Sequence, residues 1–176
     1  MDQREGGSSV LCQSHVFLDD YPLSRSIVGP DYSAGAAYLN RRGDVLWTRP
    51  DLDGYTDIFI DDVNYSRSHF GNAPRNYHAY SRGMNDNGDI VWAGIDWNLA
   101  YGYSDVFKNH ENLSLAVYGD IPRAAFPMGI SNTGQAVWIG FRKGLEFKNT
   151  IWRDTTNISG PPALPPMHRR LTTGGA

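Results

Sequence analysis

The sequence predicts an all-β fold: a β-propeller with about 3.5 four-stranded blades of ~45 residues in this chain, either an open segment or a ring closed through oligomerisation. Three observations predict it. A tryptophan-marked segment recurs at near-constant spacing. Turns rich in Asn and Gly separate short runs of β-branched and aromatic residues. No segment carries a 3.6-residue apolar period over about 11 residues, which excludes the helical solenoids of similar period.

The recurring segments are "AYLNRRGDVLWTR" from Ala37, "RGMNDNGDIVWAG" from Arg82 and "MGISNTGQAVWIG" from Met128. In register, Leu39, Met84 and Ile130 correspond, then Gly43, Gly88 and Gly134, then Trp47, Trp92 and Trp138. The tryptophans lie 45 and 46 residues apart. Downstream, "YTDIFIDDVNYS" from Tyr55 matches "YSDVFKNHENLS" from Tyr103 and, more loosely, "NTIWRDTTNIS" from Asn149. Phe59, Phe107 and Trp152 correspond, with Asn64, Asn112 and Asn157 next and Ser66, Ser114 and Ser159 last. A half copy, "HVFLDDYPLS" from His15, places Phe17 and Ser24 at the same positions. The organisation follows: a flexible N-terminus over 1–14, a half blade over 15–36, blades over 37–81, 82–127 and 128–159, and a Pro-rich tail over 160–176.

Each copy reads as four strands. The first ends at the Leu39-type position. The "NRRG", "NDNG" and "SNTG" segments are tight turns in which Gly takes φ > 0 at little cost. "DVLW", "DIVW" and "QAVW" form the second strand, "DIFI" and "DVFK" the third, and "SRSHFG" and "SLAVYG" the fourth.

"MNDNGDIVWAG…YSDVFKNHENLS" resembles the bacterial NxxG-type propeller repeats, also called HAF repeats, and more distantly the TolB-like propeller. Met84, Asn85, Gly88, Trp92, Asp105, Phe107 and Ser114 stand at that pattern's positions. The resemblance implies a propeller and an exported or extracellular bacterial protein. It says little of activity, because propellers host enzymes, lectins and adaptors alike. "DNGDIVW" has one residue too many between Gly88 and Trp92 for the Asp-box of sialidases, so sialidase chemistry is not implied.

Closed propellers have about 4–8 blades, so this chain is short of a ring. An open array leaves sheet edges with unpaired backbone groups. "SGPPALPPMHRR" cannot easily supply strands, because proline lacks the N–H a ladder needs. Closure is expected from a longer propeller, from a second chain that completes the ring as a homo-oligomer, or from a small four-bladed ring.

Composition bounds the function. The chain has 176 residues, enough for one domain with its own core. A net charge of -3 argues against nucleic acid as a partner. No apolar run approaches the ~18 residues of a membrane helix, so no membrane partner is expected. The single Cys12 excludes an intrachain disulfide framework. The histidines show no ligand spacing and no serine sits in a nucleophile elbow, so no catalytic residue, metal or cofactor is expected.

Positions shared by all copies are what packing demands; function belongs where the copies differ. The loop after the second strand differs most: "TRPDLDGYTD", "GIDWNLAYGYSD" and "GFRKGLEFKN". Trp97 is a tryptophan outside the repeat pattern, with Asp96, Asn98, Tyr101 and Tyr103 around it. An aromatic platform beside carboxylate and amide groups suits a sugar or a peptide. Asp51 and Asp53 in the first loop and Arg142 in the third complete the candidate set. The "DLDGYTD" run lacks the ligand number and terminal Glu of an EF-hand, and reads as a turn. The leading expectation is a non-catalytic module that recognises carbohydrate or protein through these loops. The alternatives are a propeller glycan hydrolase or lyase with a polar axial site, and a purely structural repeat domain of a larger exported protein. For the enzyme, Asp44 and Asp89 are matched by Gln135, which breaks the ring of acids.

Overall fold

The computed structural model describes residues 14–24, 33–50, 54–70, 77–96, 103–119, 123–142 and 150–160. These form three consecutive antiparallel meanders. Unit 1 contains β1 (Gly35–Leu39), β2 (Val45–Pro50), β3 (Thr56–Ile60) and β4 (Val63–Asn64), paired in that order. Unit 2 contains β5 (Tyr77–Met84), β6 (Ile90–Asp96), β7 (Tyr103–Lys108) and β8 (Glu111–Asn112). Unit 3 contains β9 (Arg123–Ile130), β10 (Ala136–Arg142), β11 (Thr150–Arg153) and β12 (Thr156–Asn157). A single parallel bridge, Ser104 to Ala124, joins units 2 and 3 into one sheet. The Ala125 amide reinforces it by donating to the Ser104 hydroxyl at 2.9 Å. The architecture is all-β, in two sheets that do not close on each other among the described residues.

The fourth strand departs from the sequence expectation. "SRSHF" and "SLAVY" are not strands; they lie in the short helices α1 (Tyr65–Phe70) and α2 (Leu113–Tyr118). The fourth strand is only the two residues ending at Asn64 or Asn112. The asparagine is the reason. Asn112 takes extended backbone angles, and its side-chain oxygen accepts from the Leu115 amide at 2.8 Å, a helix N-cap. Asn64 accepts likewise from the Arg67 amide at 3.0 Å. Asn157 instead accepts from the Ser159 amide, again shaping the turn.

The N-x-x-G turns form as expected. Gly43, Gly88 and Gly134 have φ of 90°, 86° and 79°, where a side chain would be strained. Asn85 accepts from the Asn87 and Asp89 amides and donates to the Asp89 carboxylate. Each first strand or its partner carries a bulge at the same register, so the chain bends at the same place in every unit.

Successive residues of a strand point to opposite faces, and both faces of the second strands of units 1 and 2 are covered. Val45, Leu46, Trp47 and Thr48 are all buried, as are Ile90, Val91, Trp92 and Ala93. One face of each unit carries the tryptophan. Trp47 stacks on Phe59 (centroids 4.4 Å), Trp92 on Phe107 (4.2 Å) and Trp138 on Trp152 (5.5 Å). That face packs on the opposite face of the preceding unit. Ile90, Trp92 and Phe107 cover Leu46 and Ile58. Ala136 and Trp138 cover Val91, Val106 and Leu113. Val16 and Leu23 of the leading half copy lie against Val45, Trp47 and Phe59. The half copy is therefore a truncated unit in the same relation to unit 1 as unit 1 is to unit 2. Its backbone agrees: the Val16, Ile58 and Val106 amides donate to Ser24, Ser66 and Ser114. Each burial of a large apolar side chain stabilises by about 1.5–3 kcal/mol, so the joints carry most of the fold's apolar stabilisation.

Candidate functional site

In each meander the tight turns lie at one end and the loop from second to third strand at the other. The ends of the second strands and starts of the third, at Pro50 and Thr56, Asp96 and Tyr103, and Arg142 and Thr150, therefore lie at a common end of their units. Asp51, Asp53, Trp97, Asn98 and Tyr101 lie outside the described residues. Asp96 and Arg142 are the final residues of β6 and β10, at the mouths of two of these loops. Tyr103 opens β7, half-buried, directly opposite Asp96 in the ladder. The ladder thus pairs the backbones of Asp96 and Tyr103.

At the same end stands an aromatic group that the sequence reading did not single out. Tyr55 packs on His78 with centroids 5.2 Å apart, and His78 stacks nearly parallel to Tyr80 at 6.2 Å. Tyr55 belongs to the loop edge of unit 1, His78 and Tyr80 to the first strand of unit 2. Burial holds the His78 imidazole below its ordinary pKa, which favours the neutral ring. Of the three rings, Tyr80 is the one exposed at the surface, at 36%. The sequence signal was available: Tyr55 aligns with Tyr103, and His78 lies two residues before Tyr80 in a strand with period-2 alternation.

The repeated polar residues have other work. Asp57 accepts from Ser66 (3.0 Å) and Asn64 (2.9 Å), with Arg67 at 3.8 Å. Asp105 accepts from Ser114 at 2.7 Å. Asp61 and Asn109 sit at φ near +51°, and their side chains accept from the Val45 and Ile90 amides. Asp154 does the same for Ala136. This Asp/Asn position is a further repeat anchor, legible two residues after Phe17, Phe59, Phe107 and Trp152. Asp44 is held below the usual carboxylate range by hydrogen bonds from Asn40 and Arg42. Asp89 is held down by those from Asn109 and Asn85. Among the described residues, no group of three or more His, Cys, Asp or Glu side chains is placed to hold a metal ion.

No protein-family model matches this chain, and no curated protein or solved structure matches it either.

Proposed function

We propose that the chain is a segment of a repeat β-propeller, of the NxxG kind its turns resemble, and that it is a non-catalytic recognition module whose ligand is a carbohydrate or a protein held at the variable-loop end. One observation carries this reading. The polar residues common to the units are engaged in turns and joints, whereas the rings of Tyr55, His78 and Tyr80 meet at the end of the strands from which the variable loops depart. Asp44 and Asp89, the acids an axial enzyme site would draw on, are bound into their own turns. Aromatic faces beside carboxylate and amide groups suit sugar stacking or a peptide anchor.

The test is a glycan-array and pull-down comparison of the wild-type chain with Trp97→Ala and Tyr80→Ala. Loss of binding by at least about tenfold, equal to ~1.4 kcal/mol, with an unchanged melting temperature supports the loop end as the site. A fall in melting temperature that accounts for the whole loss assigns these rings to packing and overturns the reading.

A further inference from the structure

The joint between units has two sides, and among the described residues one of each is exposed. Leu46 and Ile58 of unit 1, and Val91 and Val106 of unit 2, are completely buried beneath the tryptophan face of the next unit. By the ladder register, Val137 and Ile151 are the corresponding residues of unit 3. There Ile151 is 39% exposed and Ile158 45%. Ile158 replaces Leu113, which is 1% exposed. At the other end of the chain, Phe17 aligns with Phe59 and Phe107, which face the preceding unit. Phe17 is 58% exposed.

Charge marks the same pairing. In the joint from unit 2 to unit 3, Lys108 reaches the Asp154 carboxylate at 3.8 Å. The residue at the Lys108 position of unit 3 is Arg153, and the residue at the Asp154 position of the half copy is Asp19, with the same positive φ of about 50°. Both are exposed. One end therefore carries the apolar face and cation of the joint, the other the aromatic ring and anion.

We infer that a second copy of this chain occupies the open face of unit 3, head to tail: Phe17 of one copy packs on Ile151 and Ile158 of another, with Asp19 paired to Arg153. The contact is heterologous, so each copy keeps one free end until a ring closes. This rests on the proposed reading of the units as stacked blades, and it names the partner that continues the stack.

Sedimentation velocity on the full chain tests it. The wild type sediments with at least twice the 19.6 kDa chain mass. Phe17→Asp and Ile151→Asp, both at exposed positions, each sediment as monomers with unchanged circular dichroism. Mixing the two variants restores a dimer, because each retains the end the other lacks. Arg153→Glu and Asp19→Arg each weaken association, and the chain carrying both regains it. A wild type that stays monomeric at high concentration overturns the inference. So does a mixture that fails to dimerise, which signifies an isologous contact. The two readings fail separately: a monomer that still needs Trp97 for glycan binding removes only the assembly, and an assembled chain indifferent to Trp97→Ala removes only the loop site.

Discussion

The Trp92 indole donates its N–H to the Asn109 carbonyl oxygen at 2.8 Å, and Asn109 itself stands in the left-handed region at φ 51°. Trp47 makes the same bond to Asp61 and Trp138 to Asp154, each at 2.8 Å. The bond ties the centre of the second strand to the turn that ends the third. It explains why tryptophan, rather than another large apolar residue, recurs here. Trp92→Phe keeps an aromatic ring against Phe107 but loses this donor and part of the volume. The expected cost is about 1–3 kcal/mol, against about 3–5 kcal/mol for Trp92→Ala. Urea unfolding followed by circular dichroism checks both values, and an equal cost for the two would show that the hydrogen bond contributes nothing.

Gly140 gives a steric prediction. A Cβ there would fall against the Tyr118 ring and hydroxyl and against the Trp138 ring. Tyr118 is fixed in place, accepting from the Trp152 indole at 3.0 Å and meeting Trp138 edge-on. Gly140→Ala should destabilise by about 1–3 kcal/mol through overpacking. Gly83→Ala is the control, since its Cβ would meet neighbours only at 3.8 Å, ordinary contact. Equal melting temperatures for the two variants would refute the account.

The repeat made the meanders, the N-x-x-G turns and the stacked tryptophans legible, because each depends on a residue type at a fixed register. Trp47, Trp92 and Trp138 were readable as core for that reason, and the structure buries all three completely. The short helix in place of a fourth strand is not legible, because Asn64 and Asn112 serve equally as turn formers and helix caps, and six residues are too few for a helical period to emerge. The Tyr55–His78–Tyr80 group is legible only in part: His78 and Tyr80 share one face of a strand by the period of two, but their meeting with Tyr55 of the preceding unit arises only through packing. Aligned copies report what the units share; they are silent on what one unit presents to the next.

The pKa shifts give stability opposite limbs. Asp89 is depressed in the folded chain, chiefly by hydrogen bonds from Asn109 and Asn85. Its contribution is present above the ordinary value of 3.8 and is lost as pH falls below it through the folded value. Tyr65 is pushed up from 10.0 to about 12 by burial and then by the Asp89 charge. Its contribution is complete below pH 10.0 and is lost as pH rises toward about 12. Asp89→Asn should therefore flatten the acid limb of melting temperature against pH, and Tyr65→Phe the alkaline limb. Unchanged limbs in either variant would contradict the assignment.

Asn85 tests whether the turns couple the units. Its amide nitrogen donates to the Ser131 carbonyl of unit 3 at 3.0 Å, as Asn40 does to the Asn85 carbonyl at 3.2 Å. Unit 3 has Ser131 at this position, whose hydroxyl accepts from the Gln135 amide at 3.0 Å and so preserves the turn. Asn85→Ser thus imitates a substitution the chain already tolerates. It keeps an acceptor for the Asp89 amide and removes the bond across the joint, at a cost of about 1–2 kcal/mol. Asn85→Ala removes both, leaves the Asn87 and Asp89 amides without this acceptor, and should cost about 2–4 kcal/mol. Hydrogen exchange separates the two effects. In Asn85→Ser, protection should fall mainly in β9 and β10 while β5 and β6 stay close to wild type, because the unit 2 turn survives and only its hold on unit 3 is lost. Uniform loss across both units would mean that the bond stabilises the chain as a whole and does not couple neighbours.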